Sequence, residues 1–245
     1  MPLVRPLWAA LLDLAAERDC GGCGCPQPSG ASLCASCDDL LAVGGPWQAL
    51  GAAPGAPRTH AVARYEDPVR TMLIAYKERG RRDLRQVLGR ALARAVAATV
   101  DSAGGAGSAG SADSTGGPAS GVLALVPMPS RRNAVRERGE DTMMGLARAA
   151  ARALRDVGLP IRTVSALCHA RAVLDQAGLS PDQRQTNLAG ALRVRRAVDV
   201  PPADVVLVDD ITTSGASLAE AARALRAAGA PVLGAATIAA ARVRF

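Results

Sequence analysis

Apolar runs and apolar periodicity divide the chain into stretches that alternate between strand and helix. GVLALVPMP, residues 121–129, is a short unbroken apolar run ended by prolines, the pattern of a buried parallel strand. IRTVSAL, VVLV and VLGAATIAA, beginning at Ile161, Val205 and Val232, repeat it. Helical spacing lies between these runs. Leu146, Ala150, Leu154 and Val157 recur on one face before Gly158, and SGASLAEAARALRAAG predicts a helix closed by Gly229. Upstream, Asp67-Pro68 opens a helix that puts Met72, Leu73 and Tyr76 on its buried face and stops at Gly80. Asp83 then caps a second helix carrying Leu84, Val87, Leu88, Ala91, Leu92 and Val96 inward. Strand alternating with helix predicts an α/β fold, a parallel central sheet flanked by helices on both faces.

Three stretches depart from this alternation. A Gly/Pro-rich run from Gly44 to Pro57 has the composition of a linker and predicts a boundary between residues 1–57 and residues 58–245. Ser102 to Gly121 shows no apolar periodicity and cannot recover its ordering entropy by burial, so a disordered insertion is expected at about 102–121. The segment from Cys168 to Leu192 is longer than an α/β connection needs, with a helix start at Ser180, Pro181 and Gln183, and long loops often carry function. An amphipathic opening segment spans about Pro6 to Glu17. Asp13 interrupts it, it lacks a basic leader, and no stretch approaches the roughly 20 apolar residues of a membrane span, so a cytoplasmic protein is expected.

The chemistry concentrates in VVLVDDITTSGASL, residues 205–218. The C-terminal end of a parallel strand opens into the crevice where α/β sheets bind ligands. Asp209 and Asp210 stand there as two acceptors for the vicinal hydroxyls of a ribose. Beyond them Ile211, Thr212, Thr213, Ser214, Gly215, Ala216 and Ser217 are mostly small, leaving backbone amides open at the start of a helix, a cradle for phosphate. A Walker B strand would need a GxxxxGK loop that the chain lacks. The run resembles the phosphoribosyl-pyrophosphate (PRPP) signature of type I phosphoribosyltransferases: four apolar residues, two acids, then a Thr/Gly/Ser-rich loop.

Five of the six cysteines fall between residues 20 and 37. Cys20/Cys23 and Cys34/Cys37 form two CxxC knuckles whose spacing suits four thiolates around one structural Zn²⁺ in a ribbon, with a redox role or a degenerate site as alternatives. Cys25 is an extra thiol able to substitute for Cys23, and Cys168 stands alone.

The cysteine cluster, YEDPVRTMLIAYKERG, VPMPSRR with RERG, and LDQAGLSPDQRQTNLAGAL together resemble the ComF family, in that family's order. The family joins an N-terminal zinc ribbon to a phosphoribosyltransferase-like domain associated with competence and DNA uptake. The resemblance implies that Pro127, Met128, Pro129 and Arg131 belong to the loop that meets pyrophosphate, with Arg138 nearby. It places Gln176, Arg184 and Asn187 in a mobile loop, Arg171 in the same segment, and Lys77 in the family's Tyr-Lys segment. Mg²⁺ is implied with PRPP. Where the family usually has an aromatic residue, Asn and Gln after Arg-Gly, this chain has Glu140, Asp141 and Thr142, and negative charge there would weaken anion binding or demand a metal.

Charge changes this picture little. The net charge is +7, but the basic residues are dispersed and aromatic residues make up 2%, so stacking platforms for nucleic acid are scarce. Transfer of ribosyl phosphate to a nitrogen acceptor, with Asp209 and Asp210 as catalytic residues, is the first functional expectation. The alternative is a non-catalytic module binding PRPP or a nucleotide, with single-stranded DNA or DNA-processing proteins as partners.

Overall fold

The structure is a computed structural model that describes residues 18–27, 30–49, 53–107, 121–171, 187–195 and 204–241. The opening segment, most of the expected insertion, and the stretch holding Gln176, Ser180, Pro181, Gln183 and Arg184 lie outside the described residues.

In chain order the elements are β1 (Arg18–Asp19), β2 (Pro26–Gln27), α1 (Ala35–Ala42), β3 (Trp47–Ala49), β4 (Thr59–Arg64) and α2 (Val69–Glu78). A 3₁₀ turn at Arg82–Leu84 leads into α3 (Arg85–Gly107), followed by β5 (Leu123–Pro127), α4 (Arg132–Arg138), α5 (Thr142–Asp156) and β6 (Ile161–Thr163). β7 (Leu167–His169), β8 (Leu192–Val194), β9 (Asp204–Thr212), α6 (Ala216–Ala227) and β10 (Val232–Ala240) complete the described chain.

Among the described residues the main sheet runs β3-β4-β10-β9-β5-β6, parallel throughout except for the antiparallel edge strand β3. Alternation along its strands feeds two cores. Leu123, Leu125, Val206 and Val208 face α2, α3 and α5, whereas Ala124, Val126, Val205 and Leu207 face α6 and the β7–β8 hairpin. From β5 the chain proceeds outward to β6, and from β9 it proceeds the opposite way to β10, so strand order reverses between β5 and β9. Their pairing ends at Pro127 opposite Val208, and a crevice opens beyond that point.

Several elements differ from the sequence expectation for identifiable reasons. Trp47–Ala49, inside the expected linker, pairs with Ala61, His60 and Thr59 and so extends the sheet of the domain it was expected to precede. α3 continues through Ser102 to Gly107, into the stretch expected to be disordered. Arg58 anchors this extension by donating to the Ser102 carbonyl at 3.4 Å and its hydroxyl at 3.3 Å. IRTVSAL divides: Val164 N–H still bonds Leu125, but Ala166 N–H turns back to the Val164 carbonyl. The chain then leaves the sheet, and Leu167–His169 pairs antiparallel with β8. Val157, expected inward, lies just past the end of α5 and is 75% exposed.

The cysteine-bearing segment has no core of its own. Cys20, Leu33, Cys37 and Leu41 are buried in the same cluster as α2 and α3. Gly21 and Gly22 allow this approach, since a Cβ on Gly21 would stand 2.8 Å from the Leu84 side chain and one on Gly22 2.7 Å from Met72. Arg94 of α3 reaches back to the carbonyls of Leu41 and Gly44.

The closest helix contact sets a test of this packing. A Cβ on Gly89 of α3 would lie 2.4 Å from the Ala149 Cβ and 3.2 Å from its carbonyl carbon. Gly89→Ala should gain up to about 1 kcal/mol of helix propensity yet lose about 1–3 kcal/mol to overpacking. A thermal melt is expected to show a lower midpoint; an unchanged or raised midpoint would contradict the α3–α5 contact.

Candidate functional site

β9 carries both acids. Pairing with β10 extends to Thr212 opposite Ala240, four residues beyond the end of pairing with β5, so Asp209 to Thr212 are backed on one side and open to the crevice on the other. Asp209 and Asp210 therefore belong to the strand's end, with Asp209 Oδ1 accepting the Asp210 amide at 3.0 Å. Ile211 and Thr212, expected in the loop, also remain in β9; Thr212 is buried and Ile211 packs against the core. The loop proper is Thr213–Gly215. Gly215 adopts φ +80°, a left-handed conformation available to glycine at little cost, and turns the chain directly into α6 at Ala216. The first amides of α6 have no partners within the helix and carry its positive dipole end.

Asp210 shares the side of Val206 and Val208, where α2 covers the sheet. There Lys77 Nζ lies 2.6 Å from Asp210 Oδ2, with the Asp210 side chain 5% exposed. Burial works against the Lys77 charge, but Asp210 and then Asp209 outweigh it and raise its pKa. Burial pushes the Asp209 carboxyl well above the usual carboxylate range, the Asp210 carboxylate adds to that rise, and Lys77 opposes it.

These groups line a cleft of about 290 Å³ shared by Asp209, Asp210, Ser217, Lys77, Met128, Pro129, Arg131 and Arg138. Pro127 ends β5 immediately before it. The structure thus brings together the acids, the start of α6 and the loop after β5. Arg171 is placed differently: its guanidinium donates to the carbonyls of Asn187 and Ala189, both at 2.9 Å, and so joins the two ends of the long segment. Of that segment's far end, Leu188 reaches the cleft wall.

Some contributors were not found from sequence. His169 lines the cleft, and because a carbonyl can only accept, its Nε2–H donates to Pro129 O at 3.1 Å. It is one of two histidines in the chain, the one available signal. Glu220, buried on α6, accepts the Leu192 amide at 3.1 Å and Arg223 at 2.7 Å, fixing β8 beside the site. The acids that follow Gly139 also behave otherwise than expected. Glu140 is held by Arg82 at 2.9 Å and Arg85 at 2.7 Å. Asp141 caps α5 by accepting the Met144 amide at 3.1 Å and takes the Ser130 hydroxyl at 2.7 Å. Neither lines the cleft: Glu140 is balanced by two arginines, and Asp141 is held by the Ser130 hydroxyl and the first turn of α5.

A second constellation lies in the N-terminal segment. The Sγ atoms of Cys20, Cys23, Cys34 and Cys37 all fall within 4.8 Å of one another. Cys20–Cys34 is 3.8 Å and Cys23–Cys34 is 3.7 Å, close to the roughly 3.8 Å edge of a tetrahedron built on Zn–S bonds of about 2.3 Å. Burial raises the Cys20 thiol, but the amides of Cys34, Cys23 and Gly22 outweigh it and bring it down to about 6. Cys25 stays outside the quartet and accepts Gln27 Nε2 at 3.2 Å. The four thiols can hold a metal ion.

A mostly parallel sheet with paired acids and the start of a helix at its switch point defines an α/β protein with a crevice at the carboxyl ends of its strands. Residues 131–244, just under half of the chain, match the family model described as the phosphoribosyl transferase domain. No curated protein matches the chain. Lys77, Arg82, Arg85 and the cysteine cluster lie outside the matched stretch. No helix among the described residues is long and apolar enough to cross a membrane.

The raised Asp209 pKa has a signed consequence for stability. The folded protein holds this proton more tightly than the unfolded chain does, so the associated stability is complete below the unfolded value of about 3.9 and is lost as pH rises through the folded value. Asp209→Asn carries no charge to desolvate. It should be more stable than the native protein at pH 8, by urea unfolding, with a smaller advantage at pH 5; an advantage that does not grow with pH would contradict the assignment.

Proposed function

We propose that the cleft binds PRPP and that the protein transfers its ribosyl phosphate to a nitrogen acceptor, releasing pyrophosphate. The observation that carries this is the meeting, in one cleft at the switch point, of Asp209 and Asp210 with the first turn of α6 and with Arg131 and Arg138. In the proposed arrangement the two carboxylates accept the ribose hydroxyls, and the loop Thr213–Gly215 with Ala216 and Ser217 holds the 5′-phosphate through amides and hydroxyls. The loop after β5, from Pro127 through Met128 and Pro129 to Arg131, lies at the pyrophosphate end with Arg138.

During transfer the C1–oxygen bond to pyrophosphate breaks with its electron pair, a C1–nitrogen bond forms, and the acceptor loses its N–H proton. Positive charge developing on the ring is stabilised by the negative charge of the acid pair, while the arginines take up the charge leaving with pyrophosphate. Mg²⁺ bound with PRPP would neutralise part of the pyrophosphate charge, with Asp209 and Asp210 the acidic side chains of the cleft that could help hold it. Lys77 fixes Asp210 through their 2.6 Å ion pair.

We also propose that Cys20, Cys23, Cys34 and Cys37 bind structural Zn²⁺, which the sulfur spacing supports. A zinc knuckle joined to a domain of this type is the arrangement of the ComF family and supports that assignment. Freshly purified protein should carry about one equivalent of zinc, and Cys37→Ser should lose it together with several degrees of melting temperature. Less than half an equivalent in the native protein would remove the metal from this account.

The transferase is tested by pyrophosphate release from PRPP with Mg²⁺ across a panel of nucleobases and amines. Acceptor-dependent release is expected from the native chain, falling by at least about 100-fold in Asp209→Asn/Asp210→Asn. Equal background from both proteins would exclude catalysis. Calorimetric binding of PRPP without turnover would leave a binding module.

A further inference from the structure

Two of the cleft's cations, Lys77 and Arg138, are already engaged in the structure. Lys77 is held by Asp210. Arg138, which closes α4 and lines the same cleft, donates from Nη2 to Glu78 Oε1 at 2.8 Å. The two carboxylates differ in what they can do when an anion arrives. The Asp210 side chain is 5% exposed and fixed within β9, whereas that of Glu78, the last residue of α2, is 55% exposed. Glu78 can therefore turn to water at little desolvation cost; Asp210 cannot.

The backbone beneath Arg138 is secured independently of that ion pair. Arg82 Nη2 donates to the Arg138 carbonyl at 3.1 Å, and Arg82 and Arg85 together hold Glu140 two residues later. Tyr76 donates its hydroxyl to the Thr142 carbonyl at 3.1 Å. Loss of the Glu78 contact would thus free the guanidinium while the turn that carries it stays in place. Glu140 and Asp141 cannot replace Glu78, since each is already occupied behind the cleft.

We propose that Glu78 is a positioning residue that occupies the Arg138 guanidinium in the free protein as a stand-in for pyrophosphate, and that the pyrophosphate arm of the ligand displaces it. This rests on the PRPP assignment above and deepens it. A pyrophosphate arm offers several charged oxygens in place of one carboxylate, so it wins the exchange where a singly charged competitor does not. The ligand's other phosphate, bound at the start of α6, lies at the opposite end and does not compete with Glu78. The exchange makes the cleft selective for ligands that carry a polyphosphate, and it sets affinity below what an unoccupied Arg138 would give.

Isothermal titration at fixed ionic strength with Mg²⁺ tests this, using inorganic pyrophosphate and ribose 5-phosphate as probes on native protein, Glu78→Gln, Arg138→Gln and the double variant. Glu78→Gln should bind pyrophosphate about two- to fivefold more tightly, the range of a partly exposed ion pair, and ribose 5-phosphate unchanged. In the Arg138→Gln background the Glu78 substitution should have no effect on pyrophosphate. Equal tightening in both backgrounds would reduce Glu78 to a bulk charge and overturn the proposal, as would unchanged or weaker binding in Glu78→Gln. Native protein that binds neither probe would instead overturn the PRPP assignment, and this exchange with it. Thermal melts establish that each variant is folded, and Arg138→Met serves in the cycle if Arg138→Gln is not.

Discussion

The ion pair between Lys77 and Asp210 is the constraint on which the site depends. Two adjacent carboxylates at the end of a buried strand are a poor arrangement for a folded protein: each loses hydration, and each raises the cost of ionising the other. The 2.6 Å contact with Lys77 holds Asp210 in place, while burial and the neighbouring Asp210 leave Asp209 with a raised pKa. The lysine arrives from α2, on the sheet face that Asp210 shares with Val206 and Val208. The stretch matching the phosphoribosyl transferase domain begins at residue 131, so its acid pair is balanced by a residue from outside that stretch.

This dependence gives the cysteine segment a structural role. α2 is seated by Gly22 against Met72, and the 3₁₀ turn before α3 by Gly21 against Leu84 and by the Ser32 hydroxyl donating to the Asp83 carbonyl at 3.1 Å. Segments of this size rarely bury enough apolar surface to hold such a shape alone, and four thiols around a metal would supply what their core cannot. The helix that presents Lys77 to Asp210 is the same one that packs against Gly22 of the Cys20/Cys23 knuckle, with Met72 and Lys77 five residues apart.

The sequence made much of this legible where one residue type or one run carries the information. The apolar runs located β5, β9 and β10, because a strand buried on both faces needs no tertiary context to be apolar. The two acids followed by small residues located the crevice, and the CxxC spacing located the sulfur quartet. Edge and boundary features were less visible. Trp47–Ala49 is three residues between Pro46 and Leu50, and its pairing is fixed by β4 rather than by its own pattern. The extension of α3 past Ser102 depends on Arg58, 44 residues earlier in the chain.

Charge pairing was the least legible feature, and it decides what the site can do. Glu140 and Asp141 stand where acid should repel a phosphate, yet Arg82, Arg85, Ser130 and the first turn of α5 absorb them, and none of these partners is implied by the local sequence. Arginine pairs at long sequence separation follow from helix packing alone: α2 and α3 face the turn at 138–142, so Glu78, Arg82 and Arg85 meet Arg138 and Glu140 there. The two ends of the cleft consequently work by different physics. The start of α6 carries no side-chain charge, only helix amides, of which that of Ala216 donates to the Ser214 hydroxyl at 3.4 Å. Elsewhere in the cleft the Arg138 guanidinium is already matched by the Glu78 carboxylate, so charge balance there is set by an ion pair rather than by a helix end.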